Sequence, residues 1–513
     1  MSSEKDISSF EDAQTSGPRK VSADEHQVQL KEVAHNLSKK ESVSAYFTIL
    51  AAGFGLVSDG YQNNLMTMTN ARVIFKQLYP KDYTSAVSTR VSNSLLVGAV
   101  LGQIIVGLIC DRFGRKVALV ATTLLIVIGA TLGTAAHGAH GSAQGLFWFL
   151  TFARGITGVG VGGEYPASST SASEAANERK ISDRGPVFIM VTNFVLSFGG
   201  PLGIVVFLIV ISAAGENHLE TVWRVCFGFG ILLPLTVFFF RLRMMSSKLY
   251  RKGAIKRRVP YMLVFKRYWR SLIGTCGAWF LYDFVTFPNG VFSGTIIASV
   301  IHNNDIKRTA EWQLLLGSIA LPGVLVGAFL CNRLGRRNTM CLGFSGYLVF
   351  GLIIGLAYDK ITNIIPLFVI FYGLMQSFGN MGPGDMLGLT SAESYPTPIR
   401  GTCYGLSAAI GKTGAALGTE AFTPIQNNLG KRRVSMPYEL WTFIVAAICG
   451  VTGVLVTYFF VPDLTGIDLA EEDAKFMKYL AENGWEGEVG EDDDKELIVD
   501  KYAVEEAMEE KTG

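Results

Sequence analysis

The sequence predicts an all-α membrane protein whose twelve transmembrane helices form two pseudo-symmetric halves of six. Three observations predict it. Apolar runs of about 20 residues recur along the chain, each long enough to cross a bilayer as a helix. The composition agrees: 49% of the 513 residues are hydrophobic and 17% charged, and the mean hydropathy is +0.32. Finally, motifs of the first half return in the second at a nearly fixed offset.

Taken in order, residues 1–42 are polar without a charged-then-apolar leader. They read as a disordered tail, leaving the first span to direct insertion. The spans fall near 44–68, 91–110, 117–136, 146–166, 186–212, 222–243, 271–300, 312–331, 338–358, 363–391, 401–425 and 438–461. Lys and Arg in short connections set the orientation. Arg112, Arg115 and Lys116 follow the second span, and Arg333, Arg336 and Arg337 follow the eighth. Residues 244–270 hold nine Lys and Arg, including Lys256-Arg257-Arg258, and no acid. All three segments, and with them both termini, are expected in the cytosol. The halves are then 43–243 and 271–465, joined by the basic segment 244–270. The last stretch, 466–513, carries 17 Asp and Glu against five Lys and reads as a solvated, partly helical cytosolic tail.

Composition also excludes several function classes. A net charge of +2 gives no reason to expect nucleic acid. The seven cysteines lie in or beside apolar runs without metal-ligand spacing, so no metal is expected and buried thiols are favoured over disulfides. The six histidines form no metal spacing, no nucleophile–base arrangement is evident, and no Walker A motif is present. An enzyme, a resident cofactor and ATP as the energy source are therefore not expected.

The repeat is visible without an alignment. Asp111-Arg112-Phe113-Gly114-Arg115-Lys116 is echoed 221 positions later by Asn332-Arg333-Leu334-Gly335-Arg336-Arg337. Glu164 is echoed by Asp385, again 221 later, and Asp59 by Asp283, 224 later. Ser-Ala-Ser-Glu at 171–174 matches Ser-Ala-Glu at 391–393, and Arg184-Gly185 matches Arg400-Gly401. Two six-span repeats with a substrate held between them are the architecture of many secondary transporters. Residues 154–174 concentrate the signals: glycines at 155, 158, 160, 162 and 163, then Glu164-Tyr165-Pro166. The glycines let helices approach closely. A carboxylate inside a span is either a helix–helix ion-pair partner or a functional group.

Gly107-x3-Asp111-Arg112-x-Gly114-Arg115-Lys116 resembles the loop signature of the major facilitator superfamily, with its weaker copy at 332–337. That resemblance implies the major facilitator fold and assigns Asp111, Arg112, Gly114 and Arg115, with Arg154 upstream of the fourth-span motif, to gating. Gly162-Gly163-Glu164-Tyr165-Pro166 resembles the fourth-helix signature of the phosphate:proton symporters. Trp223-Arg224 and Val461-Pro462-Asp463-Leu464-Thr465-Gly466 also fit their sugar-porter-like relatives. The resemblance covers roughly 45–470. It implies substrate contacts at Lys412, Asp283, Tyr165 and Trp279, and proton coupling at Asp283, Asp59 and Glu164.

Three departures from that pattern bear on the cargo. Phe287 stands where a tyrosine is expected, and Gly384 followed by Asp385 where an asparagine is expected. The fifth span has no glutamine; Thr192 or Asn193 is nearest. Fewer hydrogen bonds and more room suit an esterified phosphate. The stretches Phe378–Met386 and Gly401–Lys412 resemble the fungal glycerophosphodiester permeases, importers of glycerophosphoinositol or glycerophosphocholine with protons. The expectation is a multi-pass plasma-membrane importer of a small anionic phosphodiester, functional as a monomer. Phe287, Gly384, Asp385 and Asn193 join its substrate site. An inorganic phosphate:proton symporter, a sugar or polyol porter and a nutrient-sensing receptor of the same fold remain alternatives.

Overall fold

A computed structural model describes residues 48–69, 74–242, 250, 253–255, 259–300, 306–427 and 439–485. The expected tail 1–42, the Lys256-Arg257-Arg258 cluster and residues 486–513 lie outside the described residues. The first half contains α1 (Leu56–Thr69), α2 (Ser85–Phe113), α3 (Arg115–Thr134) and α4 (Ala143–Arg179). Next comes α5, which runs as Arg184–Ile189, a π-turn Met190–Phe194 and Val195–Ala214, and then α6 (Leu219–Leu242). The second half contains α7 (Tyr261–Val300), α8 (Ile306–Leu330) and α9 (Arg336–Leu356). It continues with α10, which runs as Ile365–Gly379, a π-turn Asn380–Gly384 and Asp385–Glu393. It closes with α11 (Arg400–Asn427) and α12 (Glu439–Phe460), and a final helix, α13, spans Leu469–Glu482.

Eight of these segments are long and apolar enough to cross a membrane by composition alone. The other four of the twelve expected spans, α1, α7, α10 and α11, each set polar side chains against the cavity described below. Large side chains such as Trp148, Phe152, Ile209 and Phe459 stay exposed, as a lipid-facing surface requires. Without water to expel, helices must associate by close packing. Gly158 and Gly162 on α4 abut the backbones of Leu95 and Ala99 on α2, and Gly98 and Gly102 on α2 abut Gly155 and Val159 in return. Across the halves α2 runs along α11, α5 packs on α8 and α1 on α7.

Three elements differ from the sequence reading. Helical residues before α1 turn at Phe54–Gly55, interrupting the first span. α7 begins at Tyr261 and not near 271, because basic residues 266–270 continue the helix beyond its apolar part. The stretch expected to be a solvated tail instead begins with a packed helix: Leu469, Phe476 and Leu480 on α13 are buried. Asp473 accepts from Thr397 N and Oγ1, both at 2.6 Å, and Tyr268 donates to Glu472 at 2.7 Å. Asp468 accepts from Asn177 Nδ2 at 2.9 Å, a bond that holds its carboxyl below the usual range. α13 thus ties α4 of one half to the start of α11 in the other.

Candidate functional site

The end of the bundle carrying the two repeated loops is closed by buried charge. Gly114 and Gly335 turn the loops with φ of 97° and 84°, a conformation that a side chain resists. Each turn aims an arginine inward. Arg115 donates to Asp111 at 3.1 Å and to Glu174 at 2.8 Å, and Glu174 also pairs with Arg400 at 2.8 Å. In the other half Arg336 pairs with Glu393 at 3.1 Å, and Glu393 also pairs with Arg184 at 2.8 Å. Each glutamate therefore joins its own half's loop arginine to an arginine at the start of a helix in the other half. Asp111 adds acceptor bonds from Gly401 N, Thr402 N and Thr402 Oγ1, at 2.9, 2.7 and 2.7 Å.

Of the five residues expected to gate, Asp111, Gly114 and Arg115 meet here. Arg112 is exposed, its guanidinium 5.6 Å from the Phe113 ring. Arg154 is a correction: it lies toward the opposite end of α4 and donates to the Val91 carbonyl at 3.2 Å. It fastens α4 to α2 within one half.

Between the halves lies a cavity of about 250 Å³. Among the described residues its two charged lining residues are Lys412 on α11 and Asp283 on α7, joined at 3.0 Å and both buried. The ammonium lies 3.9 Å from the Phe287 ring centroid and 5.1 Å from that of Tyr165, so aromatic faces hold the cation. Trp279, Asn193 and Gly384 complete the expected set that lines the space. Asn193 and Gly384 come from the two π-turns, where one extra residue per turn re-aims side chains.

Asp385, expected at the substrate, does not line the cavity. Asn193 Nδ2 donates to it at 2.7 Å from the cavity side, and its other oxygen lies toward Gly327 on α8. Glu164 is also turned away. It is the counter-ion of Arg241 on α6 and accepts from Thr122 and Ser168. Arg241 in turn donates to the Ala51 and Ala52 carbonyls at 3.1 and 3.2 Å, where the first span is interrupted. Gly55 admits this pairing, since a Cβ there would collide with both the guanidinium and the Glu164 carboxylate. Asp59 stands one turn along the same face of α1. It is fully buried, and neither of its oxygens has a partner among the described residues.

Sequence reasoning missed Arg241, which reads as a snorkelling residue at the end of an apolar run. It also missed the cavity's carboxamides: Asn63, Asn64, Gln313, Gln376 and Asn380. A usable signal was present for two of them, because Gln376 and Asn380 are four apart and share one face of a helix.

The sugar (and other) transporter model matches residues 45–476. The chain belongs to that family. It is 55% identical to glycerophosphoinositol permease 1 of Candida albicans, over 90% of this chain and 85% of that one. It is 50% identical to glycerophosphoinositol transporter 1 of Saccharomyces cerevisiae, over 91% of this chain and 89% of that one. Among solved structures, the proton:xylose symporter XylE bound to 6-bromo-6-deoxy-D-glucose superposes with a TM-score of 0.72 at 17% identity. That match covers 85% of this chain and 99% of XylE. The fold is the major facilitator fold, and the chain is a multi-pass membrane transporter.

Proposed function

We propose that this chain imports glycerophosphodiesters, glycerophosphoinositol foremost and glycerophosphocholine with it, together with protons. It does so as a monomer in the plasma membrane, with the charged end and both termini in the cytosol. The observation that carries the reading is the Lys412–Asp283 pair, among the described residues the only charge lining a cavity between two halves of a transporter fold. Two permeases named for glycerophosphoinositol at 50% identity or more support the cargo.

Charge balance gives the mechanism. With no cargo, Lys412 and Asp283 neutralise each other. A phosphodiester monoanion entering on Lys412 displaces the Asp283 carboxylate and leaves it buried beside a second negative charge, which is unfavourable in low dielectric. A proton on the freed carboxylate removes that charge. The cation, the bound anion and the neutral acid then carry no net charge, as the empty pair did. States with only the proton or only the anion are charged and disfavoured. Each ligand therefore raises the affinity for the other. The Tyr165 hydroxyl and the Trp279 indole face the same space and supply donors to phosphate oxygens. Asp59, buried and without a hydrogen-bond partner among the described residues, is the candidate relay. Glu164 keeps Arg241 in place against the Ala51 and Ala52 carbonyls, a positioning role.

The test is uptake in cells lacking their own permeases, with labelled glycerophosphoinositol, glycerophosphocholine and inorganic phosphate at two external pH values. Phosphodiester uptake that is faster at the acid pH and insensitive to excess phosphate is expected. Uptake of phosphate alone would replace this reading with a phosphate symporter. Phosphodiester uptake independent of pH would remove the proton.

A further inference from the structure

The cavity has two chemically different ends. Lys412 and Asp283 occupy one. At the other stands Gln313 on α8, with Asn64 on α1 and Gln376 and Asn380 on α10 also in the lining, and among the described residues no further charged side chain lines the cavity. Gln313 is 4% exposed, lines the cavity, and its Nε2 has no partner among the described residues. A buried amide N–H without a partner is unfavourable until something enters to accept from it. Gly294 on α7 makes its position possible, since a Cβ there would collide with that same nitrogen.

The neighbouring amides are half used. Asn64 Nδ2 donates to the Gly60 carbonyl at 2.8 Å, which leaves its Oδ1 as an acceptor. Asn380 Nδ2 donates to the Ala320 carbonyl at 3.0 Å, and its Oδ1 accepts a long bond of 3.4 Å from Tyr282, the neighbour of Asp283. The lining thus offers a free donor and free acceptors together. Hydroxyl groups, each a donor and an acceptor, match that set. The spacing also fits. The Lys412 ammonium lies over Phe287, and Gly294 is seven residues further along α7, about 10 Å at 1.5 Å per residue.

We propose that this carboxamide-lined end is the subsite for the polyhydroxylated alcohol of the phosphodiester, with Gln313 the residue that favours a neutral polyol over a quaternary ammonium. The inference rests on reading the cavity as a phosphodiester site. Among the described residues a cationic headgroup finds no counter-charge here, because Asp385 is screened by Asn193 and lies off the lining. An inositol ring, whose hydroxyls point around its rim, offers acceptors to Gln313 and donors to the carboxamides of the lining.

The experiment compares KM and maximal rate for glycerophosphoinositol and glycerophosphocholine in the unmodified chain, Gln313→Met and Gln313→Glu, each quantified at the cell surface. Gln313→Met keeps the length and removes the amide. It should raise KM for glycerophosphoinositol about tenfold, with KM for glycerophosphocholine and both maximal rates little changed. Gln313→Glu places a carboxylate where choline's ammonium would lie, and should shift the preference toward glycerophosphocholine. Equal changes for both cargoes in either variant would overturn the subsite. If the unmodified chain took up neither cargo, the functional reading itself would fall and the subsite with it.

Discussion

The two halves carry acids at repeat-related positions and give them different partners. At the charged end the symmetry is close: Glu174 and Glu393 each bridge a loop arginine and an arginine of the opposite half. Deeper in the bundle it fails. Glu164 is neutralised by Arg241, whereas its counterpart Asp385 has, among the described residues, only the Asn193 amide. Asp59 has no partner among the described residues, whereas its counterpart Asp283 has Lys412. Neither cation repeats, since Val191 stands 221 positions before Lys412 and Pro462 stands 221 after Arg241. The repeat therefore preserves closure at one end. What has diverged is where positive charge is left available. The first half commits its deep cation to an internal ion pair, and the second holds its cation against the cavity.

The largest expected effect tests that asymmetry directly. Lys412→Met removes the available cation, and phosphodiester uptake should fall by about a hundredfold, the equivalent of one or two hydrogen bonds to a charged group. Asp283→Asn should keep exchange of cargo across the membrane and lose accumulation against a gradient. Asp59→Asn should have the smaller effect on accumulation. The comparison breaks if Asp59→Asn abolishes accumulation while Asp283→Asn, present in equal amount at the surface, retains it. The coupling acid would then belong to the first half.

An intermediate effect concerns the cavity wall. A Cβ at Gly384 would stand 2.9 Å from the Tyr282 hydroxyl, 3.1 Å from the Gly379 carbonyl oxygen and 3.3 Å from Asn193 Nδ2, so any side chain there crowds the cavity wall. Phe287→Tyr adds a hydroxyl to the ring beneath Lys412. The double variant Gly384→Asn, Phe287→Tyr should lose phosphodiester uptake about tenfold more than any phosphate uptake, as two added donors favour a smaller, fully bonded anion. Equal loss of both in a well-expressed variant would show that room at Gly384 does not select the cargo.

The fold was legible because a bilayer imposes its thickness on sequence: apolar run length and the 221-residue echo gave spans and halves. Legibility ended where that constraint ends. Residues 261–270 of α7 and all of α13 are too polar for a hydropathy reading. Yet Leu469, Phe476 and Leu480, spaced seven and four apart, mark one helix face within an acidic stretch. In the site, Lys412 and Asp283 were readable through the resemblance to the phosphate:proton symporters, which agrees with the rule that a charge within an apolar run needs a reason. The same rule misplaced Asp385 and Glu164. It detects an unusual acid without telling which neighbour satisfies it, and Asn193 and Arg241 lie 192 and 77 positions away in sequence. The first π-turn leaves no compositional mark, and the second carries Gly382-Pro383-Gly384, which marks a helix break without telling which side chains it re-aims.

The smallest effect lies in a difference between the closures at the charged end. Asp111 uses both oxygens, one for Gly401 N and Arg115, the other for Thr402 N and Oγ1. Asn332 uses its oxygen for Arg336 and its amide for the Ser182 carbonyl, at 2.7 Å each. Asp111→Asn turns one acceptor into a donor facing donors, which weakens closure and favours the conformation open at this end. Asn332→Asp exchanges one neutral bond for a stronger pair with Arg336 and should change little. Arg112→Ala, at an exposed side chain, should be silent. Maleimide labelling of Cys403, buried beside Thr402, reports closure when mapped by mass spectrometry from the charged side. A rise of a few fold is expected for Asp111→Asn, consistent with about 1 kcal/mol of lost hydrogen bonding, and none for the other two. Turnover should slow in parallel while substrate KM stays near its original value, because Asp111 does not line the cavity. Equal labelling in Asp111→Asn and Asn332→Asp would mean that the two closures are energetically alike, and that the aspartate's extra bonds to α11 do not bias the conformational equilibrium.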